Sequence, residues 1–139
     1  MNRASRWDGC NLCKTHLRVP PGGGPNPHAH PKTQESFYVL EGEIQVKNES
    51  QTYTAGKGSF VNIPLGGMVH CFKNKSNEVA KLLCIVVPSG LEDFFLEIGK
   101  PINSITFLPP PVIDTAGMER IKTIAEKHGQ VLYPPDYLG

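Results

Sequence analysis

The stretch Gly22-Gly23-Gly24-Pro25-Asn26-Pro27-His28-Ala29-His30-Pro31-Lys32-Thr33-Gln34-Glu35-Ser36-Phe37-Tyr38-Val39-Leu40-Glu41-Gly42 decides how this chain is read. His28 and His30 stand one residue apart on an extended segment. Strand side chains alternate with period two, so both imidazoles project from one face and can share one ion. The tetrapeptide Pro31-Lys32-Thr33-Gln34 is long enough to reverse the chain and too proline-bound to continue as a helix. It returns the Glu35 carboxylate toward the imidazoles. His70, on a separate expected strand, completes a set of three nitrogen donors and one oxygen donor suited to a divalent first-row metal. The expected metal ligands are therefore His28, His30, Glu35 and His70.

Outward from this stretch the chain reads as short strands joined by turns. Residues 12–20 alternate weakly and end in Pro20-Pro21-Gly22-Gly23-Gly24-Pro25. Residues 36–40 are aromatic and β-branched, and they close at Glu41-Gly42-Glu43 as a hairpin. Strands are expected over 44–47, 52–55, 59–63 and 68–73, with Pro64 stopping one of them. Residues 79–87 read as a strand buried on both sides. After Pro88 the period changes. Ser89 and Glu92 have the form of a capping box, and Leu91, Phe94, Phe95 and Ile98 recur at helical spacing. Residues 101–113 are expected to form a proline-rich loop. Asp114 or Thr115 then caps a second helix with Met118, Ile121, Ile124 and Ala125 on one stripe, ending at Gly129. Residues 131–135 are expected to lie extended against the rest of the chain.

With 139 residues, 39% of them hydrophobic, the chain can bury one core. Thirteen prolines and fourteen glycines leave little room for long helices before the C-terminal third. The fold expected is all-β, one domain over 1–139, with a sandwich or barrel over 12–88 and a helical extension over 89–139. A net charge of +1 with scattered Lys and Arg offers no footprint for nucleic acid or anionic membrane, so the expected partner is a small molecule. No apolar run reaches the roughly 18 residues of a membrane span. Cys84 reads as a small buried hydrophobe within an apolar run, and a reduced cytoplasmic chain is expected.

The spacing of two motifs closely resembles the cupin superfamily. Gly22, five residues, His28-Ala29-His30, four residues, Glu35, six residues and Gly42 match the first cupin motif. Gly58, five residues, Pro64, then Gly67, two residues, His70, three residues and Asn74 match the second, with one extra residue before Gly67. The segments around Phe94-Phe95 and residues 124–129 are similar to single-domain cupins of the quercetin dioxygenase-like group. The resemblance implies a double-stranded β-helix, or jelly-roll barrel, with a metal in its mouth. It also implies strands upstream of residue 12, where only 1–11 precede. An unpaired edge, or a strand borrowed in a homodimer, is the expectation there.

The resemblance further implies a metal-dependent dioxygenase acting with O2 on a small aromatic or enolisable substrate. The metal would be Fe, Mn, Ni, Co, Cu or Zn, and Glu35 would be the catalytic base. Alternation places Phe37 and Val39 on the face of Glu35, and Met68 and Phe72 on that of His70. These four are the expected substrate pocket, each also readable as barrel core. The alternatives are a metal-dependent isomerase or decarboxylase of a small polar metabolite, for which Arg18 and Lys47 are the candidate cations, and a non-catalytic small-molecule-binding cupin. His16, His128 and Cys71 are expected outside the ligand set, Cys10 and Cys13 as unrelated thiols, and Asn74 as a residue that fixes a turn.

Overall fold

The computed structural model describes residues 3–6, 11–100 and 112–139. The strands are β1 (Arg3–Arg6), β2 (Cys13–Val19), β3 (His28–Ala29), β4 (Gln34–Glu41), β5 (Glu43–Asn48), β6 (Thr52–Gly56), β7 (Phe60–Ile63), β8 (His70–Lys73) and β9 (Ala80–Val87). Helices α1 (Leu91–Ile98) and α2 (Thr115–Lys127) and a last strand β10 (Val131–Leu132) follow. Two antiparallel sheets form, ordered β1-β2-β9-β4-β7 and β10-β3-β8-β5-β6. Strands distant in sequence become neighbours, which is the crossing pattern of a jelly roll. The two sheets stand as separate five-stranded layers rather than one continuous closed ladder.

Alternation explains the core between the layers. In β4, Glu35, Phe37 and Val39 are buried while Tyr38 and Glu41 are exposed. In β9, Ala80, Leu82, Cys84 and Val86 are buried, while Lys81, Leu83 and Ile85 are only half-buried. The strand therefore has one core face and one partly solvated face, where the apolar run had suggested burial on both. Ile44, Val46, Ala55 and Phe72 supply the core from the other sheet. Phe37 and Phe72 meet edge to face between the layers, with ring centroids 5.1 Å apart.

Residues 3–6 pair with β2 from Arg3 opposite His16 to Arg6 opposite Cys13. The β2 edge, expected to be bare or to borrow a partner's strand, is paired here with residues 3–6 of the same chain. Helix α1 begins at Gly90 rather than at Ser89, and no side chain caps it. The Ser89 amide is turned back to donate to the Asn11 carbonyl at 3.1 Å, so Ser89 belongs to the sheet edge. Glu92 accepts from the Gly90 amide at 2.7 Å, where the expected box would have it accept from Ser89. Helix α2 starts where expected: the Asp114 carboxylate accepts from the Gly117 amide at 2.8 Å. The expected proline-rich loop lies mostly over 101–111, outside the described residues, as does Cys10.

Two details hold the histidine-bearing loop. Asn74 is 0% exposed. It donates to the carbonyls of Val19 and Glu78 at 2.9 and 2.6 Å, and accepts from the Ser76 amide at 3.0 Å. Its backbone also pairs with Gly22 and Gly23. Gly24 passes so close to β8 that a Cβ there would stand 2.0 Å from the Phe72 carbonyl oxygen, and its φ of +137° is one that glycine alone adopts readily.

Candidate metal centre

The three histidines come from one sheet and the carboxylate from the other. His28 opens β3, His30 follows it, and His70 opens β8, where it faces His28 in register. Proline on both sides of His28-Ala29-His30 keeps β3 short. The turn after it closes with the Thr33 amide on the His30 carbonyl, and delivers Glu35 to β4. Strand β4 is held between β7 and β9, and Glu35 faces Ile63 on one side and Val86 on the other. The carboxylate therefore reaches across the core from a strand fixed on both edges.

All four side chains are buried, and one ligand atom from each lies within 4.8 Å of the others. Glu35 Oε2 stands 2.9 Å from His70 Nε2 and 3.3 Å from His30 Nε2. The second nitrogens of two rings are committed elsewhere. His28 Nδ1 donates to the Asn26 carbonyl at 2.8 Å, and His70 Nδ1 to the Met68 carbonyl at 2.9 Å. A carbonyl only accepts, so these bonds place a proton on Nδ1 and leave Nε2 to face the cluster. This outer support is the kind that orients metal-ligating imidazoles.

Electrostatics agree with the ligand form of His28 and Glu35. Burial, and then the neighbouring His70, push His28 down to about 4, so it is neutral at neutral pH. Burial alone would raise the Glu35 carboxyl. Its contacts with His30 and His70 outweigh that and hold the group below the ordinary carboxylate range. Burial and the adjacent Glu35 push the Cys84 thiol well up, so Cys84 stays protonated and donates weakly to Glu35 Oε1 at 3.5 Å.

The residues fit a metal. His30 Nε2 is buried without a well-formed hydrogen bond. Such an orphan is costly unless a cation takes its lone pair. Three imidazoles and one carboxylate suit first-row divalent ions, and four protein donors leave room for a ligand on an ion that prefers five or six.

Beside the cluster opens a cavity of about 470 Å³ lined by His28, His30 and Glu35. Of the expected pocket residues, Phe37 and Phe72 line it. Val39 is wholly in the core and Met68 packs against that core, and neither lines the cavity. The remaining wall was not anticipated. Leu91, Phe94, Phe95 and Ile98 of α1, Met118 and Ile121 of α2, and Leu132 of β10 roof the space. Both helical stripes were legible, but nothing in their spacing said which layer they would cover. Gln130 was missed altogether; its one signal is that it alternates with Leu132. Among the described lining residues Arg18 is the single Lys or Arg, whereas Lys47 lies outside the cavity and donates to the Gly139 carbonyl. His16, Cys71 and His128 lie outside the cluster. No described helix is long and apolar enough to cross a membrane.

Fold and site together define a jelly-roll β protein with a buried three-histidine, one-glutamate cluster at one end of its core. The chain belongs to the cupin family: residues 15–86 match the Cupin domain model. It is 30% identical over 80 residues to quercetin 2,3-dioxygenase of Bacillus subtilis (strain 168), covering 58% of this chain and 23% of that protein. It is 40% identical over 68 residues to germin-like protein subfamily 2 member 2 of Arabidopsis thaliana, covering 45% of this chain and 31% of that one. The chain thus spans less than a third of each. Among solved structures, TT1209 from Thermus thermophilus superposes with a TM-score of 0.52 at 26% identity, over 55% of this chain and 72% of that one.

Proposed function

We propose that this cupin is a metal-dependent dioxygenase acting on a small aromatic or enolisable substrate. The observation that carries it is the convergence of four buried donors, three of which, His28, His30 and Glu35, line a largely apolar cavity. His28, His30, Glu35 and His70 would hold one divalent ion, which would supply Lewis-acid polarisation of a substrate oxygen and a path for electrons toward O2. The chain's own residues do the rest. Phe37, Phe72, Phe94 and Phe95 accept a flat apolar body and exclude water. Glu35, ionised at neutral pH, is the proton acceptor within the cluster, and Cys84 steadies its other oxygen. The relative most informative for this reading is the Bacillus subtilis quercetin dioxygenase.

An isomerase or decarboxylase of a polar anion would need cations along the wall, and Arg18 alone is there among the described residues. The test is metal analysis of the isolated protein followed by an oxygen-electrode screen of flavonols, diones and catechols with each first-row ion. Oxygen uptake dependent on the metal is expected. Its absence with every ion would leave a binding cupin.

A further inference from the structure

Two residues that line this cavity each carry a buried side-chain nitrogen without a well-formed hydrogen bond: His30 and Gln130, both at Nε2. The first would be taken up by the ion proposed above. The second would not. Gln130 is 4% exposed, and it is placed by the chain reversal after α2. Gly129, with φ of +76°, ends the helix, and the Gln130 amide donates to the Ala125 carbonyl at 2.8 Å. Strand β10 then pairs with β3, Val131 opposite Ala29 and Leu132 opposite His28. Continuing that antiparallel register by one residue sets Gln130 opposite His30. Strand alternation gives the same answer: Gln130 and Leu132 line the cavity and Val131 is exposed.

A primary amide buried without an acceptor is costly, and such a group persists where something else completes it. We propose that Gln130 donates a hydrogen bond to a carbonyl or enolate oxygen of a flat apolar ligand in this cavity, and so sets which end of the ligand meets the metal ligands. This rests on the reading above for the ligand's seat beside the four donors. The ligand class follows from the wall. Leu17, Phe37, Phe72, Leu91, Phe94 and Phe95 take an aromatic body, and the amide takes one oxygen acceptor. Gln130 is a positioning residue, supplied by the C-terminal segment rather than by either cupin motif.

The test uses the full chain as isolated, with its metal, titrated under nitrogen so that no turnover contributes. The probes are unsubstituted flavonol and phenylnaphthalene, which offers similar rings with no oxygen. Gln130→Leu is expected to weaken flavonol about tenfold, the loss expected of one buried hydrogen bond. It should leave phenylnaphthalene unchanged or tighter, and should not lower the thermal midpoint of the ligand-free protein. Gln130→Glu, which exchanges the donor for an acceptor, should weaken flavonol at least as much. Unchanged flavonol affinity, parallel loss of both probes with a lower midpoint, or no binding of flavonol by the unaltered chain would each overturn the proposal. Flavonol binding that depends on Gln130 in a protein that consumes no oxygen would sink the dioxygenase reading and leave this one standing.

Discussion

His28 and His70 face each other across the β3–β8 ladder with ring centroids 4.4 Å apart, each with Nδ1 tied to a backbone carbonyl two residues earlier in the chain. Packing two imidazoles this closely is unfavourable if both are charged, and the carbonyl bonds determine which nitrogen each presents. The cluster is thus organised before an ion arrives.

Removal of one donor should therefore act on the metal more than on the fold. Replacing His28, His30 or His70 by Ala is expected to lower metal affinity by at least the roughly 10–100-fold seen for outer-shell partners. Competition with a fluorescent chelator measures this. Metal at about 100 times its Kd should add about 2.7 kcal/mol to the stability of the unaltered chain. Urea unfolding with and without chelator checks that figure, and no stabilisation would argue that the ion is not bound by the native state.

Glu35→Gln keeps the shape and removes the charge. If Glu35 is the proton acceptor proposed above as well as one donor of four, its loss should affect turnover more than metal content. The expected outcome is a drop in oxygen uptake of roughly 10²–10⁴-fold, with metal occupancy reduced by a smaller factor. Equal losses in the two would make Glu35 a ligand alone.

Val39 and Phe37 share a face of β4 but not a role. Val39 is 0% exposed and touches only core, so Val39→Ala should cost about 2 kcal/mol in urea unfolding and leave flavonol affinity within about twofold. Phe37→Ala should lower both, because its ring faces Phe72 and the cavity at once.

Asn74 ties the end of β2 to the turn at 76–78 through its side chain, and no apolar substitute satisfies both. Asn74→Ala removes the side-chain bonds to the Val19 carbonyl and the Ser76 amide, and leaves the Glu78 carbonyl with the Ser76 hydroxyl at 3.2 Å. A loss of about 2–3 kcal/mol is expected, with the midpoint lowered and the slope unchanged. A cost below about half of that would mean that water replaces the side chain.

The pairing of α1 with α2 is expected to weaken in acid. Hydrogen bonds from His128 and then Lys127 hold the exposed Glu97 carboxyl below its ordinary range. A depressed carboxyl adds stability above its ordinary pKa and loses it as pH falls through the folded value. Amide exchange in α1 and α2 should therefore quicken as pH falls below the usual carboxylate range, relative to the intrinsic rate. Glu97→Gln should show the faster exchange at neutral pH. Identical exchange in the two proteins would assign the helix contact to packing alone.

The strand pattern, both helical stripes and the four donors were all legible in the sequence because each depends on local spacing. Alternation sets faces, prolines and glycines set turns, and two short motifs place His28, His30, Glu35, His70 and Asn74. The reading faltered where a local signal had two meanings. The apolar run of β9 reads as doubly buried, yet Leu83 and Ile85 take the outer face of the sheet. Ser89 reads as a cap, yet its amide is taken up by the Asn11 carbonyl.

The sequence by itself determined the succession of strands, the donor set and the apolar faces of α1 and α2, since period and turn chemistry are properties of neighbouring residues. Only the tertiary structure decided what covers the edges and the cluster: residues 3–6 on the β2 edge, two helices over the cavity, and Gln130 opposite His30 through a two-residue strand. The last two join the C-terminal segment to strands from the first third of the chain. No local pattern encodes such contacts, because they follow from which exposed edge and which apolar face remain open once the sheets have formed.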